Sequence, residues 1–296
     1  MTKRQRRNLL IALGFLSPWL IGFIWFRGGA VIASLVISFT EWNMFNPPEF
    51  VGFQNYIKLF TDDPLFWKSL RVTLLYSVVV VPASIVFAFT IAMILNQRLK
   101  GLFLLRTIFY IPCLISGVAL AVIWSIILNP DIGFVNQVIG VFGIEGPKWL
   151  WDKRWALPGL MMMGTWMYAG NMIIYLAGLQ AIPTQLYESV EIDGGNSVHK
   201  FFHITIPMMT PILFFQIIMQ LVLCLHVFEI GYVMTRGGPE NATLFFNLQL
   251  YYRAFTDFRM GIACAMAWVL FLIIIGLTIV LFKTSNRWVY YAGERR

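Results

Sequence analysis

The sequence predicts an all-α integral membrane protein with six transmembrane helices and with both termini in the cytoplasm. The 296-residue chain has a mean hydropathy of +0.73, and only 12% of its residues are charged. That share is about half of the share in soluble globular domains. Six apolar segments are long enough to cross a bilayer, which takes about 20 residues. A third observation, the distribution of basic residues between the loops, gives the orientation.

The six spans are predicted to form a single transmembrane domain that covers residues 1–296. A basic cluster at residues 3–7 precedes the first span, and no small-residue cleavage site follows its apolar core. We therefore expect this span to be retained rather than removed as a signal peptide. Arg27 lies inside the first span and is expected either to face the bundle interior or to sit at a break in the helix. The predicted spans are residues 9–39, 72–95, 107–128, 157–179, 208–234 and 261–282.

The charge count predicts the sidedness of the loops. Six crossings place the termini, residues 98–106 and residues 186–206 on one side, and these segments hold twelve of the 22 basic residues but only four of the 14 acidic ones. The loops of the other side, which include residues 129–156, hold nine of each sign. Because cytoplasmic loops carry an excess of Lys and Arg, the first side is predicted to be cytoplasmic. Its basic residues are Lys3, Arg4, Arg6, Arg7, Arg98, Lys100, Arg106, Lys200, Lys283, Arg287, Arg295 and Arg296, and its acidic residues are Glu188, Glu191, Asp193 and Glu294.

The polar segment between the fourth and fifth spans is predicted to form two short helices joined by a turn at the membrane surface. Glu188 and Glu191 lie three residues apart on the first helix. The run from Asp193 to Asn196 ends that helix, because Gly tolerates a positive φ and Asp and Asn favour turns. Exposed aromatic residues on such an element, among them Phe202, indicate a docking surface for another protein.

This segment, residues 186–207, resembles the EAA loop of ABC-importer permeases, whose pattern begins E-A-A-x-x-D-G-A. Ser189 and Val190 stand in place of the first two alanines, and Gly195 stands in place of the last. These are small or conservative changes. The matching positions are Glu188, Asp193, Gly194, Phe202, Ile204, Pro207 and Pro211.

Further segments along nearly the whole chain are similar to carbohydrate-type permeases of the maltose and glycerol-phosphate kind. These segments are residues 17–23, 38–43, 52–56, 129–130, 176–183 and 235–239. Glu229 stands where the family usually has Asp, a change that keeps the charge.

The resemblance implies the permease subunit of an ATP-driven importer that moves a sugar or oligosaccharide across the bacterial cytoplasmic (inner) membrane. It also implies a heterodimer with a second, similar permease, two ATP-binding subunits and an extracytoplasmic solute-binding protein. ATP and Mg²⁺ would be bound by the ATPase partners, and this chain would need no cofactor. In the family the EAA loop is a coupling helix that fits a cleft on the ATPase. The residues assigned to coupling by this resemblance are Glu188, Ser189, Asp193, Gly194, Gly195, Phe202 and Pro207.

Polar groups inside the predicted spans are candidates for the substrate pathway, because such groups are costly in a bilayer. Tyr168, Asn171 and Tyr175 share one face of the fourth span. On the fifth span the polar residues are Gln216, Gln220, His226 and Glu229. Amides, carboxylates and aromatic rings suit a passing polyol, but hydrogen bonding between helices explains each single residue equally well. Glu229 is equally suited to an ion pair between two permeases.

The sequence contains no catalytic or metal-binding motif. It has no G-x-x-x-x-G-K-[ST] phosphate loop, so the energy source is expected to be a partner subunit. The cysteines at 113, 224 and 264 share no close spacing and are interpreted as buried apolar residues. His199 and His203 have the i, i+4 spacing of metal ligands, but they neighbour Lys200 and are interpreted as a solvated helix face. The net charge of +8 follows the topology and does not indicate a nucleic-acid partner.

Two other classes were weighed against an importer subunit. An ion-coupled secondary transporter of a small polar solute is the main alternative, but it typically has buried ionisable relays and internal repeats. Only Arg27 and Glu229 qualify as buried charges, and no repeat is visible. A membrane-embedded enzyme would need catalytic groups that converge on the spans, and none do so in the sequence.

Overall fold

A computed structural model of the chain describes residues 3–97 and 101–290. Residue contacts divide the chain into two compact units. The first comprises the residues up to Asp63 together with Leu250–Phe271, and the second comprises Pro64–Gln249 with the residues from Leu272 onward. The predicted cytoplasmic charges at Arg98, Lys100, Glu294, Arg295 and Arg296 lie outside the described residues.

The first unit consists of helices and a two-residue antiparallel strand pair. Asn55 stabilises the chain reversal after the first helix, because its side-chain amide donates to the carbonyl oxygens of Ser38 and Thr40 at 2.9 and 2.8 Å. The elements are α1 (Lys3–Gly22), a π-helical turn (Phe23–Gly28), α2 (Gly29–Ser38), β1 (Thr40–Glu41), β2 (Glu49–Phe50) and α3 (Gln54–Thr61). The first unit also contains a later part of the chain, Leu250–Phe271. This part holds the end of α13 (Phe246–Tyr251), a π-helical turn (Tyr252–Thr256) and the first part of α14 (Met260–Ser285).

Arg27 lies in the π-helical turn Phe23–Gly28 of the first predicted span. This turn joins α1 and α2 into one continuous helix, Arg4–Ser38. The side chain of Arg27 is exposed. The sequence left two placements open for this arginine, the bundle interior or a break in the helix. The structure places it at a local irregularity of the helix.

The second unit is built around α4 (Pro64–Leu95), a helix of 32 residues. Two further helical segments pack along α4. The first runs through α8 (Ala156–Met167), a 3₁₀ turn (Tyr168–Asn171) and α9 (Met172–Gln180), and the second is α12 (Ile206–Leu225). The remaining elements of this unit are α5 (Leu102–Leu114), α6 (Gly117–Ile127), α7 (Phe134–Val141), α10 (Thr184–Ile192), α11 (Ser197–Lys200), a π-helical turn (Phe201–Thr205) and a second π-helical turn (Gly231–Thr235).

Four described helices are long and apolar enough to cross a membrane: Arg4–Ser38, Pro64–Leu95, Ser197–Leu225 and Met260–Ser285. The first, second and sixth predicted spans each coincide with one of these helices. The fourth predicted span is occupied by α8, the 3₁₀ turn and α9, which follow one another without a gap. Together with the bent pair described next, the described chain has four to five candidate spans by these criteria.

The third predicted span, 107–128, is not one helix. It is divided between α5 and α6, which meet at an angle of 107°. The break follows from Ile115 and Ser116, whose backbones are extended, and from the Ser116 hydroxyl, which caps α6 by accepting from the amide of Ala119 at 3.3 Å. Over this predicted span the structure therefore has a broken helix rather than a continuous one.

The fifth predicted span, 208–234, also differs from the structure. Its helix begins within the preceding loop, at Ser197, and ends at Leu225. Pro207 lies directly after the π-helical turn Phe201–Thr205 inside this helix, and the helix continues through it. The residues from His226 to Thr235 form a loop and the π-helical turn Gly231–Thr235 instead of a last helical turn of the span.

The aromatic stretch at 245–258 packs partly into the protein. Phe245 and Phe246 are fully buried in the second unit. The ring of Phe245 meets Tyr76 edge to face at 5.1 Å, and Phe246 meets Phe66 at 5.6 Å. Packing against α4 therefore accounts for these two rings.

Candidate functional site

The loop predicted to bind an ATPase, residues 186–207, is the coupling loop of the predicted importer. It consists of a helix, a tight turn and a second helix. Helix α10 ends in a Schellman motif. The amide of Gly194 donates to the carbonyl of Glu191 at 3.0 Å, and the amide of Gly195 donates to that of Val190 at 2.8 Å. Gly194 has a φ of +75°, the left-handed conformation that this motif requires at its first residue beyond the helix.

The two glycines of this turn are required for different reasons. A Cβ added to Gly194 would meet no atom within 4 Å, so only its backbone conformation favours glycine. A Cβ on Gly195 would overlap the side chain of Val190 and lie 2.9 Å from its carbonyl oxygen. The close approach that forbids a side chain therefore belongs to Gly195, while Gly194 supplies the geometry.

The second helix starts immediately after the turn. Asn196 has an extended backbone and caps α11, because its side-chain oxygen accepts from the amide of His199 at 3.0 Å. Lys200 forms an ion pair with Glu191 across the turn. These contacts fix the angle between the two helices of the loop.

One face of the loop packs against the helix bundle. Leu186, Tyr187, Phe201 and Ile204 pack against a buried cluster that includes Leu95 at the end of α4. The Tyr187 hydroxyl also lies 3.0 Å from that of Thr205. This face joins the loop to α4 and to the start of α12.

The other face of the loop is exposed and combines apolar with acidic side chains. Ile192 is 85% exposed, Val198 61% and Phe202 60%. Of the residues assigned to coupling, Glu188, Ser189, Asp193 and Gly194 are also exposed, whereas Gly195 and Pro207 are half-buried. Phe201 points inward, so the docking aromatic of this pair is Phe202.

The three polar residues predicted on the fourth span have different environments. Asn171 and Tyr168 are half-buried at the two ends of the 3₁₀ turn. The Tyr168 hydroxyl lies near the thiol of Cys224 on α12, so the structure brings the fourth and fifth spans together here. Tyr175 is fully buried, and its ring meets Phe89 of α4 edge to face at 5.7 Å.

The two glutamines of the fifth span lie inside the helix packing of the second unit. Gln216 is 3% exposed and Gln220 is 1% exposed. The side-chain oxygen of Gln220 accepts a hydrogen bond from the Ser84 hydroxyl on α4. In this conformation Gln220 therefore joins two helices of the same chain.

His226 and Glu229 are exposed in the loop that follows α12. His226 caps the end of α12, since its Nδ1 lies 2.9 Å from the carbonyl oxygen of Val222. The Glu229 carboxylate lies over Gly117 at the first turn of α6, so closely that a Cβ at Gly117 would overlap it. A carboxylate at this place interacts favourably with the dipole of α6.

Sequence reasoning missed a series of buried hydroxyls on α4. Ser69, Thr73, Ser77 and Ser84 are each at most 1% exposed. Thr73 accepts from the amide of Phe246 at 2.8 Å, and Ser84 bonds Gln220. Their spacing of four and seven residues places them on one helix face. This regular spacing within an apolar span could have identified them from the sequence.

The two histidines of the loop lie side by side on its exposed surface. The rings of His199 and His203 stack with centroids 5.8 Å apart, and both side chains are exposed. The described part of the chain contains no group of three or more His, Cys, Asp or Glu side chains that could hold a metal ion.

Comparisons with known proteins agree with this fold. The family model described as binding-protein-dependent transport system inner membrane component matches residues 81–291. The probable ABC transporter permease protein YesP of Bacillus subtilis (strain 168) is 41% identical over 294 residues, which are 98% of this chain and 94% of that protein. The trehalose/maltose transport system permease protein MalF of Thermococcus litoralis is 34% identical over 239 residues, or 80% of each chain.

A solved structure has the same fold. It is the bacterial alginate ABC transporter in complex with an alginate pentasaccharide-bound periplasmic protein, and one of its chains matches with a TM-score of 0.83 and 23% identity over 96% of both chains. Fold and loop together define a helical permease of the inner membrane. The chain belongs to the family of binding-protein-dependent transport system inner membrane components. The predicted membership among ABC-importer permeases is thereby confirmed.

Proposed function

We propose that the chain is one permease of a six-span, heterodimeric ABC importer that moves a sugar or oligosaccharide into the cytoplasm. Relatives named for trehalose/maltose, lactose and sn-glycerol-3-phosphate support the carbohydrate class. Two ATP-binding subunits supply ATP hydrolysis with Mg²⁺, and an extracytoplasmic binding protein delivers the substrate. The periplasmic protein in the alginate transporter complex supports the last partner.

The observation that carries this proposal is the exposed face of the loop, with Glu188, Ile192 and Phe202. Its exposed apolar side chains are of the kind that another protein would bury, and Glu188 offers that protein a charged contact. The opposite face packs on the bundle, so a subunit bound here would contact a rigid element.

The loop has a direct mechanical connection to the bundle. Its second helix and α12 form one continuous helix, Ser197–Leu225. A shift of the loop by an ATPase therefore moves the whole of this helix, and α4 moves with it through Leu95 and Ser84. Rigid-body movement of packed helices is a known form of switching transition.

The substrate pathway in this proposal runs along the polar residues that remain accessible. These are Tyr168, Asn171, His226 and Glu229, which are half-buried or exposed in the single chain. Tyr175, Gln216 and Gln220 are buried between helices, and they would reach a substrate only after those helices separate.

Two variants test the coupling assignment. Gly194→Val places a β-branched residue at a φ of +75°, which costs about 1–3 kcal/mol and should distort the turn. Glu188→Lys reverses a charge on the exposed face. We expect both variants to insert in the membrane, but to lose the ATPase on purification or to hydrolyse ATP without uptake.

Gly143→Val is the matched control, since Gly143 has a φ of +74° and equally open surroundings but lies in another loop. It should keep the ATPase. Normal sugar uptake with a bound ATPase in both loop variants would refute the coupling assignment.

A further inference from the structure

Helix α7, in the loop between α6 and α8, turns an apolar face away from the protein. Phe134, Val138 and Val141 lie at positions i, i+4 and i+7 of this eight-residue helix, so they share one side of it. They are 66%, 42% and 83% exposed, and Phe142 directly after the helix is exposed as well. None of the residues of α7 is buried. The largest apolar side chains of this helix therefore have no place in the core of the unit.

The opposite face of α7 is held by the side chain of Asn136. Its oxygen accepts from the indole nitrogen of Trp149 at 2.7 Å, and its nitrogen donates to the carbonyls of Pro130 and Pro147 at 3.1 and 3.2 Å. Gly146 packs so closely on this amide that a Cβ there would overlap it. These contacts fix the rotation of the helix, and with it the direction of the apolar face.

The start of α7 lies against the end of α6. The amide of Gly133 donates to the carbonyl of Asn129 at 2.9 Å. A Cβ at Gly133 would overlap that carbonyl oxygen and lie 2.5 Å from the carbonyl oxygen of Ile127, the last residue of α6. Helix α7 therefore begins where the bent pair of α5 and α6, a candidate span, ends.

Trp149, the partner of Asn136, lies against the start of α8. A Cβ at Gly159, in the first turn of α8, would lie 3.8 Å from the Cβ of Trp149 and 3.3 Å from Leu128, the residue after α6. The ring of Trp149 also meets that of Trp155, with centroids 5.3 Å apart. Tryptophan side chains at the ends of spans are typical of the membrane interface. Helix α7 is thus attached to the ends of two predicted spans, at the level of the interface.

The segment that carries the apolar face has no charged residue. Residues 132–144 contain no Asp, Glu, Lys or Arg, and Asp131 and Glu145 stand on either side of this segment. A partner that binds through charge would find no contact on this face. An uncharged apolar helix face beside the ends of two spans matches the boundary between lipid headgroups and acyl chains.

We propose that α7 is an interfacial helix that lies along the membrane surface, with Phe134, Val138 and Val141 inserted among the lipids. The lipid surface is held by apolar contact, so zwitterionic and anionic lipids serve equally. The helix fixes the depth of the loop between α6 and α8. This inference uses only the membrane location of the chain, and it is independent of the proposed cargo and of the coupling to an ATPase.

Fluorescence quenching from the lipid and from the water tests this placement. The native cysteines are replaced by alanine, Val141→Cys is labelled with bimane, and the full chain with its co-purified subunits is placed in phosphatidylcholine nanodiscs. Glu145→Cys is the matched control, because Glu145 is an exposed charged residue of the same loop. Lipid with a doxyl group near its headgroup should quench position 141 about threefold more than position 145. Iodide in the water should give the reverse order.

Val138→Cys repeats the measurement one turn earlier on the same face, and it should behave like Val141→Cys. Equal quenching of positions 141 and 145 by iodide would refute the proposal, because the face would then lie in water. Protection of position 141 from both quenchers would also refute it, since a protein subunit would then cover the face. Iodide quenching that disappears when the binding protein is added would assign the face to protein docking instead. Lipid quenching confined to nanodiscs with anionic lipid would overturn the apolar contact.

Discussion

The hydrogen bond between Ser84 and Gln220 joins α4 and α12 inside an apolar interface. Both side chains are at most 1% exposed, so neither has water as an alternative partner. Leaving a buried acceptor without a donor costs about 1–3 kcal/mol, although bonds between membrane helices average about 0.6 kcal/mol. This contact is therefore a small but specific contribution to the helix packing.

Ser84→Ala is expected to lower the free energy of unfolding in mixed detergent micelles by about 1 kcal/mol, because it removes the donor to Gln220. Ser77→Ala is the control, since Ser77 is equally buried on the same helix but donates only to the carbonyl of Thr73 at 2.8 Å. Equal losses in the two variants would show that the bond to Gln220 contributes nothing.

Asn171 tests the substrate pathway at the residue scale. It is half-buried at the end of the 3₁₀ turn. Asn171→Leu is expected to reduce uptake severalfold without loss of the ATPase, because it removes hydrogen-bonding groups but fills the same volume.

Radiolabelled sugar uptake and co-purification are the two measurements for Asn171→Leu. The control is Ile173→Leu, an exposed apolar change two residues further along the chain. If Asn171→Leu takes up sugar at the normal rate, Asn171 contributes to helix packing and does not line the substrate pathway.

Among the elements, the coupling loop depends on its caps more than on helix propensity. Helix α11 has four residues and is too short to form without the Asn196 cap and its continuation into α12. Asn196→Ala should cost about 1 kcal/mol of local stability. Hydrogen exchange at the amide of His199 should accelerate roughly fivefold, while Ser197→Ala, next to the cap, should leave it unchanged. No acceleration in Asn196→Ala would contradict the role of the cap.

The sequence predicted the elements better than their interruptions. Hydropathy averaged over a span located the helices around residues 64–95 and 260–285, because burial in lipid demands about 20 apolar residues. It did not detect the break at Ser116 or the end of α12 at Leu225. Those features depend on single caps, such as Ser116 and His226, whose effect vanishes in an average over a long window.

For a similar reason, the sequence predicted the turn of the coupling loop but not the surroundings of the polar residues on the fifth span. Local backbone rules gave the turn at Gly194 directly. The polar face of the fifth span did not reveal whether Gln220 faces a pathway or another helix, because that depends on where α4 packs. Tertiary packing decided it, and the partner Ser84 lies more than a hundred residues away in the chain.

At the scale of the whole molecule, the proposed transport cycle requires the coupling loop and the loop before α8 to face opposite sides of the membrane. The charge count places residues 186–206 in the cytoplasm and residues 129–156 outside. In the second unit Lys153 contacts Glu240, which Lys68 near the start of α4 also contacts, whereas the coupling loop packs with Leu95 at the other end of α4. Sidedness is therefore the property on which coupling and substrate entry both depend.

Cysteine labelling in whole cells tests this sidedness. His199→Cys marks the coupling loop and Glu145→Cys marks the loop before α8, and both positions are exposed. The native cysteines are first replaced by alanine, because Cys113 is itself exposed and would react. A membrane-impermeant maleimide added to intact cells should label position 145 and spare position 199, inverted vesicles should give the reverse, and a permeant maleimide should label both. Labelling of position 199 from outside would place the coupling loop on the wrong side for a cytoplasmic ATPase, and both the orientation and the coupling mechanism would then be wrong.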